Sequence, residues 1–298
     1  MYRSLNDEMR EKFGGKVYKL ALEGGFTCPN RDGKIGTRGC IFCLGGSGDF
    51  AEKPSGSVSE QIEKAKARVS KKNPFGKYIA YFQSYTNTYG PIEKMEKLFS
   101  EAISHPDIVA LSIGTRPDCL PDETLELLSR LNKIKPVWVE LGLQTIHQKT
   151  AEYIRRGYPL PFFDSAVERL KKAGIYVVVH MIIGLPGETP EMIFETAEYI
   201  GKSGADGIKL QLLHVLSGTD LAEDYAAGKF RTLEPDEYIG ILEECVRRIP
   251  KTMTIHRLTG DGSKKSLVAP LWSADKKRVL NAINSAFEKD KVIQGEHL

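Results

Sequence analysis

Long hydrophobic runs are missing from this chain. None approaches the ~18 consecutive apolar residues of a membrane-spanning helix, so no membrane association is expected. The opening Met1-Tyr2-Arg3-Ser4-Leu5-Asn6-Asp7-Glu8 is charged and has no apolar signal core. Secretion is therefore not expected, and the cytoplasm is the expected compartment. Cysteine is scarce, with five in 298 residues. That number in a long, unsecreted chain argues against a disulfide framework and for metal or catalytic use in a reducing compartment. Charge of one sign is lacking too: the net charge is only +3, so no global basic field announces a nucleic acid. Internal repeats, low-complexity segments and clear linkers are also absent.

What is present is ordinary globular material, 41% hydrophobic and 27% charged, enough for a full core. The length suits one large α/β domain or two small ones. Charge is uneven in one place. Residues 247–278 carry nine Lys/Arg against two acids, Asp261 and Asp275. Such a patch docks phosphates, or is simply a solvated surface.

Short β-rich runs alternate with amphipathic helical runs. Strands are expected over 17–22, 78–83, 108–113, 137–142, 175–183 and 207–213, with a last short extended piece at 252–256. Helices are expected over 57–72, 92–104, 122–132, 147–155, 162–173, 190–203, 235–248 and 274–288. Six strands alternating with helices imply parallel βαβ units. Polar or glycine-rich words follow almost every strand, and functional groups at many strand ends ring one face of a β/α barrel. The expected fold is therefore an incomplete (β/α)6 TIM-like barrel over 1–250, with a C-terminal extension over 251–298 packing on it.

Chemistry concentrates in a loop over 24–50. Cys28 is followed, after eleven intervening residues, by Cys40-Ile41-Phe42-Cys43, across Gly33, Gly36 and Gly39. Three thiolates in one loop suit three irons of a cubane cluster, leaving one iron without a cysteine. Phe42 would shield such a cluster, and backbone N–H groups exposed by the glycines would bond its sulfides. The competing reading is a zinc site completed by a distant His or by Cys119, although zinc usually takes two short ligand pairs. Unliganded cysteines are the third reading. Cys245, in an amphipathic helix, reads as core. Cys119 suits a hydrogen-atom donor or a packed small residue. His180 reads equally as ligand or core.

The loop words Gly24-Gly25-Phe26-Thr27-Cys28-Pro29-Asn30-Arg31-Asp32-Gly33 and Gly39-Cys40-Ile41-Phe42-Cys43 resemble the cluster loop of the radical S-adenosylmethionine (SAM) superfamily, in a wide-spaced variant. The similarity is strongest to its YhcC/YtqA-like (MnmL-like) family. It continues through Phe82-Gln83-Ser84-Tyr85-Thr86-Asn87-Thr88, Gly114-Thr115-Arg116-Pro117-Asp118-Cys119, Gly142-Leu143-Gln144-Thr145, His180-Met181-Ile182-Ile183-Gly184-Leu185-Pro186-Gly187-Glu188 and Ala269-Pro270-Leu271-Trp272. The resemblance implies that Cys28, Cys40 and Cys43 hold a 4Fe–4S cluster and that SAM occupies the open iron. An external one-electron donor of flavodoxin or ferredoxin type would reduce the cluster. SAM would then yield a 5′-deoxyadenosyl radical that takes a hydrogen atom from the substrate.

The same resemblance distributes the other residues by strand. Gln83, Tyr85 and Thr86 replace the superfamily's usual Gly-Gly-Glu at the SAM amino group. Glu140 and Gln144 would meet the ribose hydroxyls or the methionine end. Ile182, Gly184, His214 and Leu216 would bracket adenine. Arg116, Asp118 and Arg257 are the expected substrate-binding residues, Arg116 through bidentate contact with a carboxylate or phosphate. As to substrate, the resemblance suggests the wobble uridine of tRNA, with a carboxymethylaminomethyl group at carbon 5 converted to aminomethyl. The basic 247–278 segment agrees with a tRNA partner. Two other classes stay open: a radical SAM enzyme acting on a small metabolite or peptide, and a non-catalytic iron–sulfur protein.

Overall fold

A computed structural model describes residues 2–45, 56–260, 262 and 264–298. Positions 46–50 of the expected cluster loop and Asp261 of the basic segment lie outside the described residues. The chain opens with α1 (Leu5–Phe13), started by a Ser4–Asp7 capping box and stopped by Gly14 in the left-handed conformation. Next come β1 (Tyr18–Leu22), α2 (Val58–Val69), β2 (Tyr78–Phe82), α3 (Ile92–Ser104), β3 (Ile108–Thr115) and α4 (Asp122–Asn132). Then follow β4 (Val137–Gln144), α5 (Gln148–Tyr153), α6 (Pro161–Lys172), β5 (Tyr176–Ile183), α7 (Pro190–Lys202) and β6 (Gly207–Leu212). The rest is β7 (Val215–Leu216), α8 (Asp220–Ala226), α9 (Pro235–Arg247), β8 (Thr254–Arg257), β9 (Leu267–Ala269) and α10 (Lys276–Lys289).

The sheet order is β1-β2-β3-β4-β5-β6-β8, parallel throughout. It curls into the expected incomplete barrel, with a seventh strand beyond the six of the repeating units. That strand is the short extended piece near 254, so the sheet runs on across residue 250. A small antiparallel ribbon of β7 and β9 stands beside the ends of β6 and β8.

Alternation along each strand sorts the side chains. Leu20, Ala80, Leu111, Val139, Val179 and Leu210 face outward and form one core with the helices. Three layers fill the interior. At the bottom, Met9 of α1 joins Val17, Ile79, Ala110 and Trp138 in an apolar plug. Above it lies a charged layer of Lys19, Glu140, His180 and Lys209. At the mouth, Ile41 of the cysteine loop packs with Ile154, Ile182, Leu185, Leu213 and Val215, and Phe42 leans on the same group. This last cluster seats the cysteine loop on the strand ends.

Candidate functional site

A cavity of about 240 Å³ opens at the C-terminal ends of the strands, the face where a β/α barrel carries its chemistry. Cys28, Cys40 and Cys43 line it, with Gln83, Tyr85, Thr86, Arg116, Glu140 and Gln144. Gly114 and Gly142 also line it. They stand in register with Glu140 and His180 of the neighbouring strands, and their lack of side chains leaves room above the charged layer.

The cysteine loop is held by its own backbone. Arg31 N–H donates to the Cys28 carbonyl (2.8 Å), Gly39 N–H to the Asn30 carbonyl (2.7 Å) and Cys43 N–H to the Cys40 carbonyl (3.0 Å). The Arg31 guanidinium donates to the Cys43 carbonyl (2.5 Å) and lies against Gly39. A Cβ at Gly39, whose φ is +76°, would come within 2.7 Å of Arg31 Nε, so only glycine fits. Asn30 donates from Nδ2 to the Arg155 carbonyl (2.7 Å) and lies 3.5 Å from Cys40 Sγ. The loop is thereby tied to the segment after α5.

The thiols fit a cluster better than a single ion. Tetrahedral zinc at ~2.3 Å from each sulfur draws its sulfurs to about 3.8 Å of one another. The three Sγ atoms here do not all lie within 4.8 Å of one another. No disulfide joins them. Burial pushes the Cys40 thiol up to about 11, and neighbouring Cys43 adds to this. Its proton therefore stays on until a metal displaces it.

Arg156 was invisible in the sequence and is the most telling group in the wall. It is 2% exposed. Its Nε donates to the Tyr158 carbonyl and its Nη1 to the Thr145 carbonyl (2.5 Å). Its Nη2 is buried without any acceptor. The groups it bonds are all carbonyls, and burial pulls its pKa below the usual arginine range. A desolvated cation without an acid is costly and calls for an anion in the cavity. Gln144 shows the complementary need, for a donor. It takes a φ of +69° at the end of β4, and its Oε1 is buried without a partner.

The remaining expected site residues are already paired at the cavity wall or lie outside the cavity. Arg116 forms a two-point bridge to Asp118 (2.9 and 2.8 Å) and donates to the Arg156 carbonyl (2.7 Å). Its guanidinium faces the cavity wall already paired. Ile182 belongs to the apolar seat of the loop. Gly184 faces Leu233 in a separate groove of about 630 Å³. His214 and Leu216 lie against Gly260 and Gly262. Cys119 opens onto another groove, beside Asp118, with burial pushing its thiol up to about 12. Arg257 stands in register with Lys209.

Glu140, expected to meet the ribose hydroxyls or the methionine end, lines the cavity with both oxygens engaged. Its Oε1 accepts from Lys19 (2.5 Å) and Ser112 (2.6 Å), and its Oε2 from His180 Nε2 (2.7 Å) and Lys209. Four donors leave it no lone pair for a hydroxyl. Burial opposes its charge, yet Lys19 and Lys209 hold it well below the usual carboxylate range.

A family model described as "Radical SAM superfamily" matches residues 32–200, and a second, "Radical_SAM C-terminal domain", matches 205–289. Protein YtqA of Bacillus subtilis is 44% identical across 99% of this chain and 92% of its own length. Protein YhcC of Escherichia coli is 37% identical across 89% of this chain and 85% of its own. A tRNA uridine(34) acetyltransferase of Methanocaldococcus jannaschii is 29% identical over 57% of this chain, which spans 31% of that enzyme. Among solved structures, an Elp3 of Methanocaldococcus infernus superposes with a TM-score of 0.71 at 20% identity. That superposition covers 93% of this chain and 64% of that one, and it shows the shared fold.

Proposed function

We propose a reaction from one premise: the chain belongs to the radical SAM superfamily. Cys28, Cys40 and Cys43 hold three corners of a 4Fe–4S cluster. Arg156 takes the carboxylate of SAM on its free Nη2, in a charge-assisted bond. Gln144 and the 83–86 segment receive the amino group and ribose. When bound, the cluster and SAM supply a 5′-deoxyadenosyl radical by reductive cleavage of a carbon–sulfur bond. The chain's part is to orient the carbon that gives up hydrogen within the cavity, with Phe42 and Ile182 keeping water from the metal face. An external flavodoxin- or ferredoxin-type protein supplies the electron. The observation that carries this reading is the meeting, in one cavity, of three unbridged thiols and a buried guanidinium without an acid.

The substrate we assign is the wobble uridine of tRNA, with carboxymethylaminomethyl at carbon 5 converted to aminomethyl. Abstraction at the carboxymethyl methylene beside nitrogen leaves a radical that the nitrogen stabilises; loss of one electron to an external acceptor and of the N–H proton gives an imine, and its hydrolysis frees the aminomethyl group and releases the two-carbon unit as glyoxylate. Two observations support tRNA. The more distant relatives include an enzyme named for uridine 34. Lys264 and Lys265, just before β9, and Lys276, Lys277 and Arg278, at the start of α10, are all exposed, as phosphate contacts require. The test is anoxic reconstitution and reduction with SAM, with and without tRNA from a strain lacking the protein. The expected result is 5′-deoxyadenosine formation stimulated at least tenfold by that tRNA, and an altered wobble-nucleoside mass profile in the deletion strain. An unchanged profile, or stimulation by a small metabolite or peptide and not by tRNA, overturns the tRNA assignment. Absence of SAM cleavage overturns the enzyme reading altogether.

A further inference from the structure

The saturated carboxylate of Glu140 fixes the histidine beside it. Burial opposes the charge of Glu140, but Lys19 and Lys209 keep it ionised, and an ionised carboxylate only accepts hydrogen bonds. His180 of β5 meets Glu140 Oε2 through Nε2 at 2.7 Å, so the ring hydrogen sits on Nε2. Burial, aided by Lys209 and opposed by Glu140, keeps the ring uncharged, with its pKa pulled down to about 4. A neutral imidazole with its hydrogen on Nε2 carries a lone pair on Nδ1.

That lone pair is open to the cavity. His180 lines it, with its side chain 18% exposed. No described residue bonds Nδ1, and the atom is not sealed in, whereas Nδ1 of His256 on β8 is. Ile182, two residues on along β5, belongs to the seat of the cysteine loop. His180 therefore offers its acceptor one layer deeper, where Gly114 and Gly142 leave room. The acceptor is selective. Its lone pair repels a carboxylate. Lys209 and Arg257, which oppose a positive charge on the ring, also oppose a cation placed beside it. What fits is an uncharged hydrogen donor.

We infer that His180 Nδ1 is a substrate-binding acceptor, which receives the N–H of an uncharged nitrogen beside the carbon that gives up hydrogen. Glu140 is its positioning residue and fixes both ring orientation and tautomer. The inference rests on the radical SAM reading of the cavity and deepens it. A nitrogen stabilises a neighbouring radical through its lone pair, which an ammonium lacks. A floor that admits only the neutral N–H therefore selects the reactive form of the substrate.

The test needs no tRNA. His180→Asn keeps an acceptor near the place of Nδ1, and His180→Leu has the same shape without one. Both lose the bond to Glu140, so a merely structural role treats them alike. Reconstituted holoenzyme saturated with SAM is titrated with 2-pyrrolidinone, an uncharged N–H donor, and with N-methyl-2-pyrrolidinone, which has no N–H, and binding is read by saturation-transfer NMR. The expected result is 2-pyrrolidinone binding at least fivefold tighter in the parent, a preference kept to within twofold in His180→Asn and abolished in His180→Leu. Iron content per chain is the control for folding, and SAM affinity is measured in the same samples. No saturable binding, no preference in the parent, a preference that survives in H180L, or one lost equally in both variants overturns the inference. So does a loss of SAM affinity in H180L that matches the loss of preference, which would give His180 to the cofactor. If the probes behave as expected while tRNA stimulates nothing, the acceptor stands and the tRNA assignment falls. If tRNA stimulates turnover while the two probes bind alike, the reverse holds.

Discussion

Arg155 and Arg156 are neighbours in sequence with opposite fates. Arg155, at a φ of +56°, turns toward Asp220, which Arg38 also holds. Arg156 turns inward and keeps one nitrogen without an acceptor. Hydrogen bonds to charged groups are worth about 1.5–3 kcal/mol, so Arg156→Met should weaken SAM binding to the reconstituted enzyme tenfold or more, with Arg156→Lys between. Equilibrium binding of SAM measures it, and an unchanged affinity in R156M would remove Arg156 from the cofactor site. The meeting of the cysteines could be read from sequence because three thiols in one short loop are local. Arg156 could not, because its meaning is the lack of an acid bonded to it, which only the folded chain displays. The charged layer was hidden for a related reason. Lys19, Glu140, His180 and Lys209 each look like one stray polar residue in an apolar strand, and strand register alone puts them side by side.

At the scale of elements, most of the barrel was legible. Parallel strands buried on both faces read as continuous apolar runs, and every long helix carries a clear apolar stripe. The short N-terminal helix escaped because nine mostly polar residues bury just Glu8 and Met9. The β7–β9 ribbon, with strands of two and three residues, is too brief for any periodicity. Yet α1 closes the base of the barrel through Met9, which is fully buried against Val17, Ile79, Ala110 and Trp138. Met9→Ala should therefore lower stability by about 2–5 kcal/mol, as large-to-small core changes do. Urea unfolding would measure this, and a loss below 1 kcal/mol would mean the plug is not needed.

For the whole molecule, the interior charges set how stability follows pH. Burial, helped by Lys209 and opposed by Glu140, pulls His180 down to about 4, from an ordinary value near 6.5. Between those values the unfolded chain binds a proton that the native histidine refuses, so stability falls as pH drops from 6.5 toward 4. Glu140, held low, adds a loss of the same sign below its ordinary range. Lys209 acts at the other end: depressed to about 7, it makes stability climb as pH rises from there toward 10.5. Urea midpoints at pH 6.5, 5.5 and 4.5 should fall steeply in that order for the parent protein and less steeply for His180→Gln. Burial holds His256 low as well, and it leaves part of the slope in place. An identical slope in both proteins would contradict this account.

Asn30 joins two halves of the candidate site. One amide reaches the sulfur of Cys40 and the carbonyls of Arg155 and Arg156, and Gly157 stays bare because a Cβ there would strike Asn30 Oδ1 at 2.6 Å. On the function proposed above, iron held in the loop would stiffen the segment that carries Arg156, so that metal precedes nucleoside and a chain stripped of iron binds SAM more weakly.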